Sequence, residues 1–129
     1  MKGAVIIRTM AVSESFLTFV LEQLGAVREV SSRRMFGGVG LYSGETFFAV
    51  IDNDTLFFKV DDLTRPRYVK RKMPPFQPVP GEAAMMGYYQ VPPSVLEDDD
   101  AMTDWAREAI EVGKRAPKKR AKKGKKPKN

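Results

Sequence analysis

Apolar and polar positions along the chain fall into two periods. From Ser13, a good helix N-cap followed by Glu14, the residues Phe16, Leu17, Val20, Leu21 and Leu24 recur at helical spacing, and Gly25 stops the pattern. Such a wide stripe predicts a helix lying across a sheet. From Val30 the spacing changes to that of strands. Three β-rich runs follow, Ser32 to Tyr42, Thr46 to Asp52 and Thr55 to Val60, separated by the polar turns Ser43-Gly44 and Asp52-Asn53-Asp54. Alternation puts Phe48, Val50, Leu56, Phe58 and Val60 on one face, and Phe47, Ala49, Ile51 and Phe57 on the other. Both faces are apolar, so the central strand is either covered twice or exposes an interface.

The second half alternates element types. Asp62 is positioned to cap a short helix through Leu63 to Lys72, with Pro66 in its first turn, and Met73-Pro74-Pro75 ends it. A proline-rich stretch containing Pro78 and Pro80 leads to a strand over Ala84 to Val91, which Pro92-Pro93 breaks. The acidic cluster Glu97 to Asp100 opens a last helix whose buried face is Met102, Trp105, Ala106, Ala109 and Ile110. Acids at its start and Arg107, Lys114 and Arg115 later suit the helix dipole. The order helix, three strands, helix, one or two strands, helix is an α+β pattern, a two-layer fold of helices on a largely antiparallel sheet.

Charge divides the chain. Residues 1–113 hold 12 Lys and Arg against 16 Asp and Glu, a net of −4, while residues 114–129 hold 10 and no acid, a net of +10; together these make the chain's +6. The expected organisation is therefore an N-terminal extension over 1–12, one domain over 13–113, and a Lys-rich tail over 114–129 that is disordered in isolation. The tail cations Lys118, Lys119, Arg120, Lys122, Lys123, Lys125, Lys126 and Lys128 are suited to nucleic-acid phosphates. No aromatic residue interleaves them, so contact is expected to be blind to sequence. A solubilising tail is the plainer alternative. Met10 is a second candidate start of translation. No apolar run reaches the roughly 18 residues of a membrane span, and no cysteine argues for an oxidising compartment. The expected location is the cytoplasm, with nucleoid association through the tail.

Chemistry-bearing candidates are few. The chain has no histidine, so general acid–base chemistry and imidazole metal sites lose their usual residue. Glu97-Asp98-Asp99-Asp100 reads as a solvated helix start rather than a cation site, and Asp52-Asn53-Asp54 as a turn that lacks the glycine and distal glutamate of a calcium loop. Arg33-Arg34-Met35-Phe36-Gly37-Gly38-Val39-Gly40 is the most unusual stretch. Its glycines suit either a backbone cradle for phosphate or, as the favoured reading, a bulged or sharply bent strand. The basic run Arg65, Arg67, Lys70, Arg71 and Lys72 is a solvated face or a nucleic-acid contact. Tyr88 and Tyr89 should point to opposite faces of their strand.

With Leu41 and Tyr42, that same stretch resembles the signature of the TfoX/Sxy family N-terminal domain. Agreement continues through Phe48-Ala49-Val50-Ile51, Leu56 to Asp61, Thr64-Arg65-Pro66, Pro75-Phe76, Met86 to Pro92 and Trp105 to Ala109. The resemblance implies an α-β(3)-α-β(2)-α fold like that of secretion chaperones. It also implies a non-enzymatic role without cofactor or metal, regulating competence by assisting another transcription factor at promoters. Longer members carry a C-terminal helical domain where this chain has its basic tail. The resemblance brings no catalytic residues, and Arg33, Arg34, Met35, Phe36, Gly37 and Gly38 stand as a candidate interaction surface for a protein partner. Direct nucleic-acid binding by the arginine run and tail together is the alternative, and a small-molecule or enzymatic use of the glycine-rich strand is the third.

Overall fold

A computed structural model describes residues 12–35 and 37–116. The first helix, α1 (Glu14–Gln23), is capped as expected: Ser13 Oγ accepts a hydrogen bond from the Phe16 amide at 3.2 Å. Val20 and Leu24 are buried, and Phe16, Leu17 and Leu21 pack half-buried against the same core. Four strands follow, β1 (Val30–Met35), β2 (Gly38–Ser43), β3 (Thr46–Asp52) and β4 (Thr55–Lys59). Then come α2 (Arg65–Lys70), β5 (Pro75–Phe76), β6 (Met85–Gln90), α3 (Pro93–Leu96) and α4 (Asp99–Arg115). The strands form one open sheet in the order β1-β2-β3-β4-β6-β5, with every neighbouring pair antiparallel. The fold class is the α+β arrangement expected.

The structure departs from the expected pattern at three places. The run from Ser32 to Tyr42 is two strands rather than one: Met35 pairs with Gly38, and Gly37, at φ +83°, turns the chain between them. Glycine suits that position because a positive φ costs it nothing. Next, β3 carries a bulge. Leu41 pairs with Ala49 and Tyr42 with Phe47, which leaves Phe48 as an extra residue. Phe48 and Ala49 therefore both enter the helix-covered core with Ile51, while Val50 moves to the opposite face beside Phe47 and Phe57. Strict alternation had placed Phe48 with Val50 and Ala49 with Phe47. Finally, α2 starts at Arg65, and Asp61 rather than Asp62 organises the turn before it. The Asp61 carboxylate accepts from the amides of Leu63 and Thr64, each at 3.1 Å, whereas Asp62 pairs with Arg65 at 2.8 Å.

All the helices lie on one side. Trp105, Ala106, Ala109 and Ile110 of α4 pack with Leu41, Phe48, Phe58 and Tyr89 of the sheet. Asp98 caps α4 by accepting from the amides of Asp100 and Ala101. Near its far end, Gly113 lets the helix approach β3 closely: a Cβ there would stand 2.7 Å from Thr46 Cγ2 and 2.9 Å from the Phe47 carbonyl oxygen. Tyr68 contributes its ring edge-on to Trp105 at 4.9 Å. Its buried hydroxyl has no hydrogen-bond partner among the described residues. Burial, helped by the charge of Glu108, pushes that hydroxyl well above the usual tyrosine range.

Candidate interaction surface and open sheet face

The sheet's second face has a small core of its own. Phe57, Phe76 and Tyr88 are buried there, with Phe47 and Val50 packed against them. Ring centroids lie 4.8 Å apart for Phe57–Phe76, 5.9 Å for Phe47–Tyr88 and 5.1 Å for Tyr42–Phe47. Every residue of this cluster comes from a strand. Tyr88 belongs to it, while Tyr89 faces the helices, so the two tyrosines do divide between faces. Lys59 donates to the Tyr88 hydroxyl at 3.3 Å and its ammonium lies 4.9 Å from the ring centroid.

The hairpin of β1 and β2 divides the candidate surface between an edge and this face. Arg33 and Arg34 are exposed on the edge strand. The Arg33 guanidinium lies 4.9 Å from the centre of the Tyr42 ring, and Arg34 has no ion pair among the described residues. Met35, two residues from Arg33 on the same edge strand, shares the open face with it, and Gly38 of β2 lines that face too. A Cβ at Gly40 would come within 2.7 Å of Met35 Cε and 2.6 Å of Phe47 Cε1, and one at Gly38 within 2.6 Å of the Ile51 carbonyl oxygen. These glycines let two long side chains lie flat across β2. They lie on the second strand of a hairpin, where the expected reading had one bent strand, and the element that follows is β3 rather than a helix. Phe36 lies outside the described residues.

Beside these glycines runs an apolar groove of about 370 Å³, lined by Met35, Gly38, Phe47, Val50, Asp52, Phe76, Pro78, Met85 and Tyr88. Asp52 is its one charged residue. Burial pushes the Asp52 carboxyl above its usual range, and among the described residues no hydrogen bond or ion pair reaches it. Sequence reasoning treated Asp52 only as the start of a turn. Asn53 and Asp54, at φ 52° each, do form that turn. The available signal for the groove was the doubly apolar pattern of β3 and β4.

The basic run divides between packed and exposed side chains. Arg67 stacks over Trp105 at 3.8 Å and pairs with Glu108 at 2.8 Å. Arg71 lies 5.1 Å from the same ring, and Arg65 donates to Asp62 and to the Met86 carbonyl. Lys70, Arg71 and Lys72 are exposed. Asp98, Asp99 and Asp100 bring their carboxylates within 4.8 Å of one another, all exposed, and Asp98 is occupied as the helix cap. At the base of α2, Asp61 accepts a hydrogen bond from Arg115 Nε at 3.0 Å and pairs with its Nη2 at 2.9 Å. Burial raises the Asp61 carboxyl, but the Arg115 and Thr64 hydrogen bonds, the Arg115 charge and the Leu63 amide outweigh it and hold the group below the usual range. The tail cations from Lys118 to Lys128 lie outside the described residues. No helix among the described residues is long and apolar enough to cross a membrane.

No curated protein matches the chain. The family model of the TfoX N-terminal domain matches residues 22–113, from the end of α1 almost to the end of α4. The match takes in the glycine hairpin, the whole sheet and the Arg67–Trp105 stack. The chain belongs to the TfoX N-terminal domain family, a non-catalytic domain family.

Proposed function

We propose that the chain is a non-enzymatic regulatory module that joins a protein partner to nucleic acid. In this reading the domain meets a component of the transcription machinery, as competence co-regulators do, and the basic tail tethers the pair to DNA at the nucleoid. The observation that carries it is the division of charge: a net of −4 over residues 1–113 against +10 over 114–129. A domain of that sign is repelled by phosphate on average, while a lysine-rich segment without acids is drawn to it. The pairing of Arg65 with Asp62 and of Arg67 with Glu108 and Trp105 supports the same division of labour, because it ties up two of the cations on α2. The protein partner is assigned to the β1–β2 hairpin. There Arg33 and Arg34 stand exposed on an edge strand whose backbone can accept a further strand.

The test is DNA affinity against salt, for the full chain and for a full-length variant with the eight tail cations from Lys118 to Lys128 replaced by glutamine. Binding of the natural chain to a mixed-sequence duplex should weaken with salt at a log–log slope no steeper than about −7, the value for eight phosphate contacts. The glutamine variant should lose measurable binding at physiological salt. Tight binding by that variant would instead favour contact through the fold.

A further inference from the structure

We propose that the groove on the open sheet face is a binding site for a small organic cation, with its protonated amine on Asp52 and its apolar body against Phe47, Phe76 and Tyr88. The site borders the β1–β2 hairpin assigned above to a protein partner, sharing Met35 and Gly38 with it, but its argument does not depend on that assignment. Its volume of about 370 Å³ falls in the range of small-ligand sites, which typically span roughly 300–1,000 Å³ and carry few polar groups. Its walls supply the body's surroundings. Phe76 and Tyr88 are buried on the sheet, and Phe47 and Val50 are half-buried beside them.

The chemistry of the ligand follows from Asp52. Its carboxylate lines the groove, partly desolvated, with no partner among the described residues, and no Lys or Arg shares the lining. A neutral apolar occupant would strip water from that carboxylate without replacing it, and an anion would be repelled. An ammonium satisfies it with a charge-assisted hydrogen bond. Two glycines keep the space open. A Cβ at position 38 would stand 2.6 Å from the Ile51 carbonyl oxygen and in contact with Asp52 Oδ1 at 3.6 Å, and one at position 40 would displace Met35 and Phe47. A bare floor and a single buried-side carboxylate are the recognition elements of an amine with one aromatic ring.

The experiment titrates the full chain with three probes of matched shape: phenethylammonium, phenethyl alcohol and phenylpropanoate. Binding is followed by calorimetry and by amide shifts of groove residues. The ammonium should bind about tenfold tighter than the alcohol or better, and the carboxylate weakest. Asp52→Asn should erase the advantage of the ammonium and leave the alcohol unchanged. Glu45→Gln, which removes an equal charge from an exposed turn, should change neither. Val50→Trp, once its fold is confirmed by circular dichroism, should block both probes by filling the groove. Equal binding of ammonium and carboxylate, an unchanged ammonium affinity in Asp52→Asn, or no binding at millimolar concentration would overturn the proposal. So would a wild-type dimer that Val50→Trp dissociates in sedimentation, because the groove would then be a contact between copies.

Discussion

At the scale of single residues, two aspartates, one ending β3 and one in the turn between β4 and α2, are pushed in opposite directions by their surroundings. Asp61 is held ionised by Arg115 and by the amides of Leu63 and Thr64, and Asp52 is raised by burial without a partner. A carboxylate depressed in the folded state stabilises the fold above its unfolded pKa, and that contribution disappears as pH falls through the folded value. Asp61 also joins the end of α4 to the start of α2, so its loss should be felt by both helices. Asp61→Asn should therefore melt a few degrees below the natural chain at neutral pH. The gap should close as pH is lowered through and below the ordinary aspartate range, near 3.8. Paired thermal scans across pH measure this directly, and a gap that stays constant with pH would remove the ionic role given to Asp61. Asp52 works with the opposite sign: its contribution is present at low pH and is lost as pH rises through its elevated pKa. Its substitution should not reproduce the acid-dependent gap.

At the scale of elements, the α2–α4 contact decides how the basic run is to be understood. Arg67 lies on the Trp105 ring and reaches Glu108, and its side chain is only 35% exposed, so it is part of the packing. Arg67→Ala should cost about 1–2 kcal/mol, combining a cation–π contact with a partly exposed ion pair. Lys70→Ala, on the exposed side of the same helix, should stay within about 0.5 kcal/mol of the natural chain. Denaturant unfolding of both variants provides the comparison, and equal effects would return Arg67 to the solvated face. The sequence pattern could not separate these cases, because a run of cations looks the same whether or not a tryptophan from a distant helix lies beneath one of them. Helix starts at Ser13 and Asp98 were legible, since a cap and its periodic stripe are local signals. The hairpin inside residues 32–42 and the bulge at Phe48 were not. A turn of two residues leaves little trace within a β-rich run, and an inserted residue is invisible where both faces of a strand are apolar. The groove was hidden for the same reason: its lining joins β1, β2, β3, β5 and β6, and Asp52 belongs to it only once the strands are paired.

At the scale of the whole molecule, the chain combines a helix-covered sheet, an aromatic face that no described helix covers, and a basic tail. In the proposed reading the second face and the β1 edge serve recognition, and the cations beyond Arg115 serve attachment. Charge division was visible in the sequence because composition needs no fold to be read; the open face required the structure. The central claim, that the tail attaches while the fold selects, is tested most directly by following the amide resonances of the full labelled chain as a mixed-sequence DNA duplex is added. The account predicts shifts confined to residues 117–129, with the amides of α2 and of the β1–β2 hairpin unmoved. Shifts in residues 65–72 that track those of the tail at the same DNA concentrations would contradict it.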